Sequence, residues 1–373
     1  MNAAGAMKIL SVVGTRPNFI KVAPIVAALN ARPDRARHYL VHTGQHYDAG
    51  LSDSFFESLS LPQPDVNLGV GSGTHAEQTG RVMMALEPVF QEIRPDRVIV
   101  VGDVNSTLAA AITAKKLALR VVHVEAGLRS FDMTMPEEIN RRCIDAIADD
   151  LFTTDRFANE NLQREGIPAD RTHFVGNVMI DSLLAHCDAA ASLRFHEKLG
   201  LQANCYGVLT LHRPSNVEDR DTLAGILEAI VDAAGDLPVV FPVHPRTRTR
   251  IERFGLGGRF VRQAGKPGLF LIDPLDYVDF LSLNMSARLV LTDSGGLQEE
   301  TTILGVPCVT LRTTTERPIT VSEGTNRLAG TSREGILVAV AAALNGPAYL
   351  ERRPEKWDGH AAERIVDAIL GNT

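Results

Sequence analysis

The sequence predicts an α/β protein built from two similar halves, each a parallel sheet covered by helices. Short apolar runs, such as residues 8–13 and 121–124, alternate with longer stretches of helical periodicity. The same alternation resumes after a polar, alanine-rich stretch that ends near residue 204. Polar or charged residues follow nearly every predicted strand in both halves. Parallel sheets bind their ligands at the carboxyl ends of the strands, so these residues are the candidates for a functional site.

The length of 373 residues favours two domains rather than one. We place the boundary in the helical stretch near residue 185, after which the strand and helix pattern starts again. A hydrophobic content of 45% is typical of globular chains that bury sizeable cores.

Charge and composition exclude several broad classes of protein. A net charge of −7 and a pI near 5.9 argue against a general nucleic-acid binder. No apolar run reaches the ~20 residues that a membrane-spanning helix needs. Residues 1–7 lack the apolar core of a signal peptide. The four cysteines are scattered without CxxC spacing, which predicts reduced thiols in a cytoplasmic protein.

The most informative stretch is LVLTDSGGLQEE at residues 289–300. It predicts a buried strand, a glycine turn and a helix that begins near Gly296. The N-terminus of such a helix offers unpaired N–H groups and a positive dipole end to a phosphate. Glu299 and Glu300 would repel that phosphate, whereas the hydroxyls of a ribose can donate to a carboxylate. The stretch therefore indicates a nucleotide site, with an ordinary strand-to-helix turn as the alternative.

The first half offers acids and bases at the predicted strand ends. Arg16 follows the first strand and Lys21 lies one helical turn further on, which favours anion binding over two ordinary surface cations. Asp103 and Glu125 each come after an apolar strand. Asp103 could instead be a helix cap, and Glu137 an acid in a first helical turn.

The second half adds two histidines, His212 and His244, together with Arg213 and Arg317 at turns after strands. Carboxylates and imidazoles in one desolvated site suit proton abstraction and return, because burial and like charges separate their pKa values. The chain has no HxH, HExxH or dense carboxylate spacing, which argues against a catalytic metal. It also lacks the GxSxG of a serine nucleophile and a dinucleotide fingerprint after a strand.

Taken together, these motifs resemble those of the non-hydrolysing UDP-N-acetylglucosamine 2-epimerases, along essentially the whole chain. The matching segments are GTRP (14–17), TGQH (43–46), GD (102–103), HVEAGLRS (123–130), PEEINR (136–141), LHRPSN (211–216), PVHPRT (242–247), LTDSGGLQEE (291–300), TERP (315–318) and GTNRL (324–328). Two departures stand out: Asn18 replaces a usual glutamate after GTRP, and TGQH continues as YDAG.

The resemblance implies two Rossmann-like domains facing across a cleft, as in glycosyltransferase B, with the last helix returning to the first domain. The domains would be residues 1–185 plus 356–373, and residues 186–355. It also implies inversion of C2 in UDP-N-acetylglucosamine through elimination and re-addition of UDP, with no redox cofactor, in a homodimer. The alternatives are a 2-epimerase of a modified UDP-sugar, such as a diacetamido uronic acid, and a glycosyltransferase of the same fold.

The motifs also imply roles for individual residues. Asp103, Glu125 and Glu137 would be acid/base carboxylates, and His212 a catalytic or diphosphate-side histidine, with the residue that takes the C2 proton left open. The residues that would bind UDP or substrate are Arg16, Lys21, Ser294, Gly295, Gly296, Glu300 and Arg317. In some bacterial members a second UDP-N-acetylglucosamine acts as an activator, and the positions that match that site are Gln45, His46, Glu138, Arg213 and His244.

Overall fold

A computed structural model describes residues 5–44, 61–346 and 353–371 of the chain. The side chain of Arg16 and the residues Gln45 and His46 lie outside this description. The chain forms two compact units. The first contains the residues up to Ser182 together with those from Glu355 onward, and the second contains Leu183–Pro354.

The first unit is built on a parallel sheet. Within the described residues it has seven strands in the order β3-β2-β1-β4-β5-β6-β7. The strands are Met7–Val13 (β1), Ala36–His42 (β2), Val66–Asn67 (β3), Arg97–Val101 (β4), Val121–Ala126 (β5), Asp150–Thr153 (β6) and Thr172–Phe174 (β7). Its helices are Arg16–Asn30, His75–Ile93, Asn105–Lys116, Pro136–Ile147, Arg156–Arg164, the 3-10 turn Ala169–Arg171 and Ala361–Leu370. Helix Val178–Leu193 begins in this unit and ends in the second.

The second unit repeats the architecture, with six parallel strands among the described residues in the order β10-β9-β8-β11-β12-β13. The strands are Gly207–Thr210 (β8), Pro238–Pro242 (β9), Gly268–Ile272 (β10), Leu289–Thr292 (β11), Cys308–Thr310 (β12) and Asn326–Leu328 (β13). The helices are Phe195–Lys198, Pro214–Val217, Arg220–Ala234, Pro245–Arg253, the 3-10 turn Gly257–Arg259, Tyr277–Met285, Gly295–Leu304, Pro318–Ser322 and Arg333–Asn345. The predicted class of two doubly wound α/β domains is confirmed.

Each sheet has one point where the strand order reverses, and the predicted site residues lie there. In the first sheet the reversal falls between β1 and β4, which lead into Arg16 and Asp103. In the second it falls between β8 and β11, which lead into His212 and Ser294. At such a point the loops leave adjacent strands in opposite directions and open a crevice. Each unit therefore has a candidate ligand-binding crevice at the carboxyl ends of its strands.

The C-terminal helix Ala361–Leu370 packs on the first unit, as predicted. The Asp181 carboxylate accepts hydrogen bonds from the N–H groups of Ala361 and Ala362, at 3.2 and 2.7 Å, and so caps this helix from another segment of the chain. An ion pair of 2.9 Å joins Arg32 to Asp367 near the helix end. Burial raises the pKa of Asp181 to about 6, even though the two N–H groups lower it.

We expect Asp181 to make the stability of the protein depend on pH. Because the folded-state pKa of about 6 exceeds the ordinary value of 3.8, the contribution of Asp181 to stability is complete below about pH 4 and is lost as pH rises through 6. The shift corresponds to about 3 kcal/mol at most. In urea unfolding, the free energy of unfolding of Asp181→Asn relative to wild type should increase between pH 4 and 6. Asp188→Asn changes an exposed acid on the same helix and should keep the wild-type slope, and equal slopes in both variants would contradict the prediction.

Candidate active site

Asn18 organises the loop that follows β1. Its Oδ1 accepts hydrogen bonds from the backbone N–H groups of Gly14 and Thr15, both at 3.2 Å. Its Nδ2 donates to the carbonyl of Val101 at the end of β4, at 2.9 Å. One amide side chain therefore ties together the ends of the two strands that flank the reversal point. A carboxylate could make the first two contacts but could not donate the third.

Lys21 and Glu125 form a buried ion pair with 2.5 Å between Nζ and Oε2. Glu125 lies at the end of β5, where the pairing with β6 shifts register, and has φ of 69°. A non-glycine residue in this left-handed region is under backbone strain and is held there by its surroundings. The opposite charge offsets the cost of burying the carboxylate. Lys21, predicted to bind an anion, thus contacts an acid of its own chain.

Asp103 is held by Arg141, which the sequence analysis did not single out. The Arg141 Nη1 lies 2.5 Å from Asp103 Oδ2, and the neighbouring Asn140 donates to the Asp103 backbone carbonyl at 2.8 Å. The Asp103 side chain keeps 23% of its surface exposed, so a ligand can still reach it. Arg141 itself is buried, and its Nη2 also contacts Glu138 at 3.1 Å.

Glu137 and Glu138 have different surroundings although they are adjacent in the first turn of a helix. Glu138 is fully buried and accepts hydrogen bonds from the N–H groups of Ser130 and Phe131, at 2.9 and 3.3 Å. Burial alone would raise its pKa, but these donors and the Arg141 charge lower it below the ordinary value. Glu138 is therefore engaged in holding a loop. Glu137 is half-buried.

A buried charge cluster supports the reversal point of the first sheet. Asp145 has no exposed surface and lies 2.6 Å from His123 Nδ1 and 2.7 Å from Arg129 Nη1. Arg129 also pairs with Glu165 at 2.6 Å. Burial would raise the pKa of Asp145, but the His123 and Arg129 contacts lower it. The sequence analysis missed Asp145, although it lies four residues after Arg141 on the buried face of the same helix.

In the second unit, a buried aspartate orients His212. Asp293 Oδ1 lies 2.8 Å from His212 Nδ1, and the Asp293 carboxylate also accepts from the backbone N–H of Arg213, at 2.9 Å, and from Asn216 Nδ2, at 3.1 Å. Burial would raise the pKa of Asp293, but the bonds from His212 and from the backbone lower it. An ionised Asp293 can only accept, so the His212 proton lies on Nδ1. Nε2 of this half-exposed imidazole is then the nitrogen left for chemistry.

The helix that follows β11 begins at Gly295, with Ser294 as its N-cap. The Ser294 side chain makes no capping hydrogen bond, and its backbone N–H donates to Thr292 Oγ1 at 2.9 Å. Arg317 lies against this end, because a Cβ on Gly295 would be 2.5 Å from Arg317 Nη1. Helix N–H groups and a guanidinium at one place are the combination that binds a diphosphate.

Arg317 is fixed by two buried carboxylates. Its Nη1 lies 2.6 Å from Glu316 Oε1 and its Nε 2.7 Å from Glu299 Oε1. Glu316 also contacts Arg312 at 2.7 Å and Arg213 at 3.7 Å. Burial would raise the pKa of Glu316, but the three arginines hold it well below its ordinary range. Glu316 was missed by the sequence analysis, and it links Arg317 to the loop that carries His212.

Glu300, the predicted ribose partner, is buried on the helix that starts at Gly295. Tyr277 donates its hydroxyl to Glu300 Oε1 at 3.2 Å. Burial and the neighbouring charge of Glu299 raise the pKa of Glu300 to about 7, and the Tyr277 bond opposes the rise. The carboxyl group therefore changes its charge near neutral pH.

Two further predicted residues, His244 and Arg213, make contacts within the second unit. His244 is exposed and caps the helix Pro245–Arg253, where its Nδ1 accepts from the N–H of Arg246 at 3.2 Å. Arg213 is held by Asp293 and Glu316.

The described part of the chain contains no group of three histidine, cysteine or acidic side chains that could hold a metal. Its helices include none long and apolar enough to cross a membrane.

Comparison with known proteins decides the family. A profile of the UDP-N-acetylglucosamine 2-epimerases matches residues 27–370. The chain belongs to this family. A UDP-N-acetylglucosamine 2-epimerase of Methanocaldococcus jannaschii is 42% identical over 370 residues, covering 96% of this chain and 98% of the relative. A UDP-2,3-diacetamido-2,3-dideoxy-D-glucuronate 2-epimerase of Pseudomonas aeruginosa is 42% identical over 367 residues, covering 97% and 99%.

Solved structures of family members share the fold of this chain. The M. jannaschii UDP-GlcNAc 2-epimerase in complex with UDP-GlcNAc and UDP is 41% identical, with a TM-score of 0.90 over 98% of this chain and 100% of that one. The Neisseria meningitidis UDP-GlcNAc 2-epimerase bound to UDP-GlcNAc is 30% identical, with a TM-score of 0.86 over 98% and 100%. A sucrose-phosphate synthase of Thermosynechococcus elongatus, 16% identical with a TM-score of 0.59, shares the fold alone.

Proposed function

We propose that this protein epimerises UDP-N-acetylglucosamine at C2, giving UDP-N-acetylmannosamine. One observation carries the proposal most directly. The chain matches, over nearly its whole length, an epimerase whose structure contains UDP-GlcNAc and UDP, with a TM-score of 0.90. The arrangement of each unit supports it, since one carries partnered carboxylates at its reversal point and the other carries an aspartate-bound imidazole beside a helix N-terminus.

The reaction needs two proton transfers and a stabilised leaving group. In the first step a base takes the C2 proton, the C1–C2 double bond forms, and the C1–O bond breaks with its electron pair leaving on the diphosphate of UDP. In the second step UDP adds back to C1 and an acid delivers a proton to the opposite face of C2. No net oxidation occurs, so acid/base groups and an anion site are sufficient.

The first unit supplies the acid/base groups in this proposal. Asp103, Glu125 and Glu137 are the carboxylates that exchange protons with C2. Asp103 is oriented by Arg141, and Glu125 is kept close to the cation of Lys21. Glu137, by contrast, is half-buried in the first turn of its helix.

The second unit supplies the groups for UDP. The helix N-terminus at Ser294, Gly295 and Gly296 faces the diphosphate together with Arg317, and it stabilises the charge that develops as the C1–O bond breaks. His212 acts through Nε2 at the same oxygen atoms, and Glu300 accepts from the ribose hydroxyls. Arg16 adds a further cation for UDP, as the resemblance implies.

A product assay tests the activity and its specificity. Incubation with UDP-N-acetylglucosamine should yield a mixture with UDP-N-acetylmannosamine, and release of free N-acetylmannosamine would identify a hydrolysing enzyme instead. The P. aeruginosa relative has the same identity as the M. jannaschii one, so its UDP-2,3-diacetamido-2,3-dideoxy-D-glucuronate belongs in the substrate panel. Preferred turnover of that sugar would overturn our choice of substrate. Turnover that required a sugar acceptor would identify a glycosyltransferase.

We further propose, from the family resemblance, a cytoplasmic homodimer activated by a second UDP-N-acetylglucosamine. Light scattering tests the dimer, and a sigmoidal dependence of rate on substrate concentration tests the activation. Glu138 and Arg213, two of the positions matched to that second site, already make contacts within the chain.

Ligand binding should depend on pH through Glu300. Its pKa of about 7 means that the empty protein carries a neutral carboxyl group below neutral pH, whereas a ribose hydroxyl donates best to the carboxylate. We expect the Kd for UDP-N-acetylglucosamine to rise as pH falls below 7, approaching ~10-fold per pH unit. This ligand has no ionisation of its own in that range. Calorimetry in buffers of different ionisation enthalpy should detect proton release on binding, and Glu300→Gln should abolish it. Release that persists in the variant would contradict the assignment.

A further inference from the structure

His123 is buried between the loops that carry Asp103 and Glu125. It lies on β5, two residues before Glu125, and has no exposed surface. Its Nδ1 lies 2.6 Å from Asp145 Oδ1, and its Nε2 lies 2.9 Å from the carbonyl oxygen of Gly102, the residue directly before Asp103. One imidazole therefore links the end of β5, which carries Glu125, to the residue directly before Asp103 and to Asp145.

Both atoms that face this ring are hydrogen-bond acceptors. The carbonyl of Gly102 can only accept. Asp145 also accepts from Arg129 Nη1 at 2.7 Å and from the N–H of Gly127 at 3.0 Å, which is the environment of an ionised carboxylate. A neutral imidazole has one N–H, so one of the two contacts would place two lone pairs face to face in a buried site.

A second proton on the ring resolves this conflict and balances the local charge. The charged groups of the cluster are then His123 and Arg129, both positive, and Asp145 and Glu165, both negative. Both cations contact Asp145. Arg129 also contacts Glu165, whose side chain is partly exposed. A buried cluster with equal numbers of opposite charges and satisfied donors is far less costly than one with an unpaired charge.

We propose that His123 is a doubly protonated imidazolium that acts as a positioning residue for the reaction. One N–H fixes the Gly102 carbonyl and with it the start of the Asp103 loop. The other N–H fixes Asp145, which in turn accepts from the N–H of Gly127, two residues after Glu125. Glu125 has φ of 69°, a conformation that a non-glycine residue keeps only while its surroundings hold it. Displacement of a reacting carboxylate by about 1 Å can cost ~10²-fold in rate.

The protonation state is measurable without any activity assay. In protein labelled with ¹⁵N-histidine, both ring nitrogens of His123 should show the chemical shift of a protonated nitrogen at pH 7 to 8. The signal is assigned by its absence from a His123 variant. A shift typical of an unprotonated nitrogen at either position would overturn the proposal. If the wild-type chain proved inactive, the proposed function would fall while this spectrum still decided the charge of His123.

Two substitutions separate the two contacts kinetically. His123→Gln places an amide N–H where Nε2 was and can keep the bond to Gly102. His123→Asn places one where Nδ1 was and can keep only the bond to Asp145. We expect kcat to fall ~10²-fold in the asparagine variant but only ~10-fold in the glutamine variant, with KM nearly unchanged in both. Equal losses, the reverse order, or a change confined to KM would overturn the positioning role.

A matched control guards against a purely structural effect. His173 lies on β7, the last strand of the same sheet, and contacts Asp150 at 3.6 Å; His173→Gln should leave kcat at the wild-type value. Thermal unfolding of all three variants reports whether each is folded. If neither His123 variant folds, the wild-type ¹⁵N signal is assigned through the sequential backbone resonances instead and remains the deciding measurement.

Discussion

Replacing Asp103 by asparagine is expected to lower the rate of C2 proton exchange at least ~10²-fold, the usual scale for loss of a general acid or base. Asparagine keeps the shape of the side chain and its contact with Arg141, but it cannot exchange a proton with substrate. Arg141 keeps its ion pair with Glu138 at 3.1 Å, so the loss of the Asp103 charge does not leave a buried guanidinium without a counter-charge. Exchange is measured as deuterium incorporation into UDP-N-acetylglucosamine in D₂O.

The matched control for this variant is Asp150→Asn. Asp150 forms a similar carboxylate–arginine pair, 3.0 Å from Arg120, but lies at the amino end of β6, on the opposite edge of the sheet from Asp103. Its amide variant should exchange at the wild-type rate. A near-normal rate in Asp103→Asn would remove Asp103 from the acid/base set. Equal losses in both variants would show that the effect comes from general destabilisation.

Replacing Gly295 by alanine is expected to weaken UDP binding at least ~10-fold, or about 1.4 kcal/mol. The added Cβ would lie 2.5 Å from Arg317 Nη1 and 2.7 Å from Glu316 Oε1, which is closer than such atoms can approach. Arg317 is buried and held by Glu299 and Glu316, so it cannot swing away without breaking an ion pair. The added Cβ should therefore either push the guanidinium away from the helix N-terminus at the cost of an ion pair or shift the start of the helix, and both changes disturb the proposed UDP site. Calorimetry with UDP measures the effect.

Gly225→Ala provides the control for that substitution. Gly225 lies inside the helix Arg220–Ala234 of the same unit, and a Cβ there would meet no atom within 4 Å. Alanine favours helix over glycine, so this variant should be as stable as wild type or more so and should bind UDP normally. Wild-type affinity in Gly295→Ala would show that Arg317 does not contribute to the UDP site.

The sequence predicted the architecture and the positions of Asp103, Glu125 and His212 because these depend on local signals. An apolar strand, a turn and a polar residue at the strand end are adjacent in the chain, and parallel sheets gather such ends at one edge. The short edge strands β3 and β13 were not predicted from the sequence. With two and three residues they contain no apolar run, and only pairing with a neighbouring strand forms them.

The partners of the site residues could not be predicted in the same way. Arg141, Asp145, Asp293 and Glu316 act through contacts between distant segments, such as the pair that joins Arg141 to Asp103 across 38 positions. These contacts depend on which helix faces meet, and the pattern of apolar residues constrains that only loosely. Glu137 and Glu138 show the limit well. They are adjacent and chemically equivalent in sequence, and only the position of the loop at Ser130 makes Glu138 a buried structural group.

The central claim is that C2 of the sugar loses and regains a proton without any cofactor. The direct test is incubation of the purified protein with UDP-N-acetylglucosamine in D₂O, followed by NMR of the recovered sugar nucleotides. We predict deuterium at C2 of both UDP-N-acetylglucosamine and UDP-N-acetylmannosamine, with none at the other ring carbons. Conversion without deuterium at C2, or no conversion and no exchange, would contradict the proposed function.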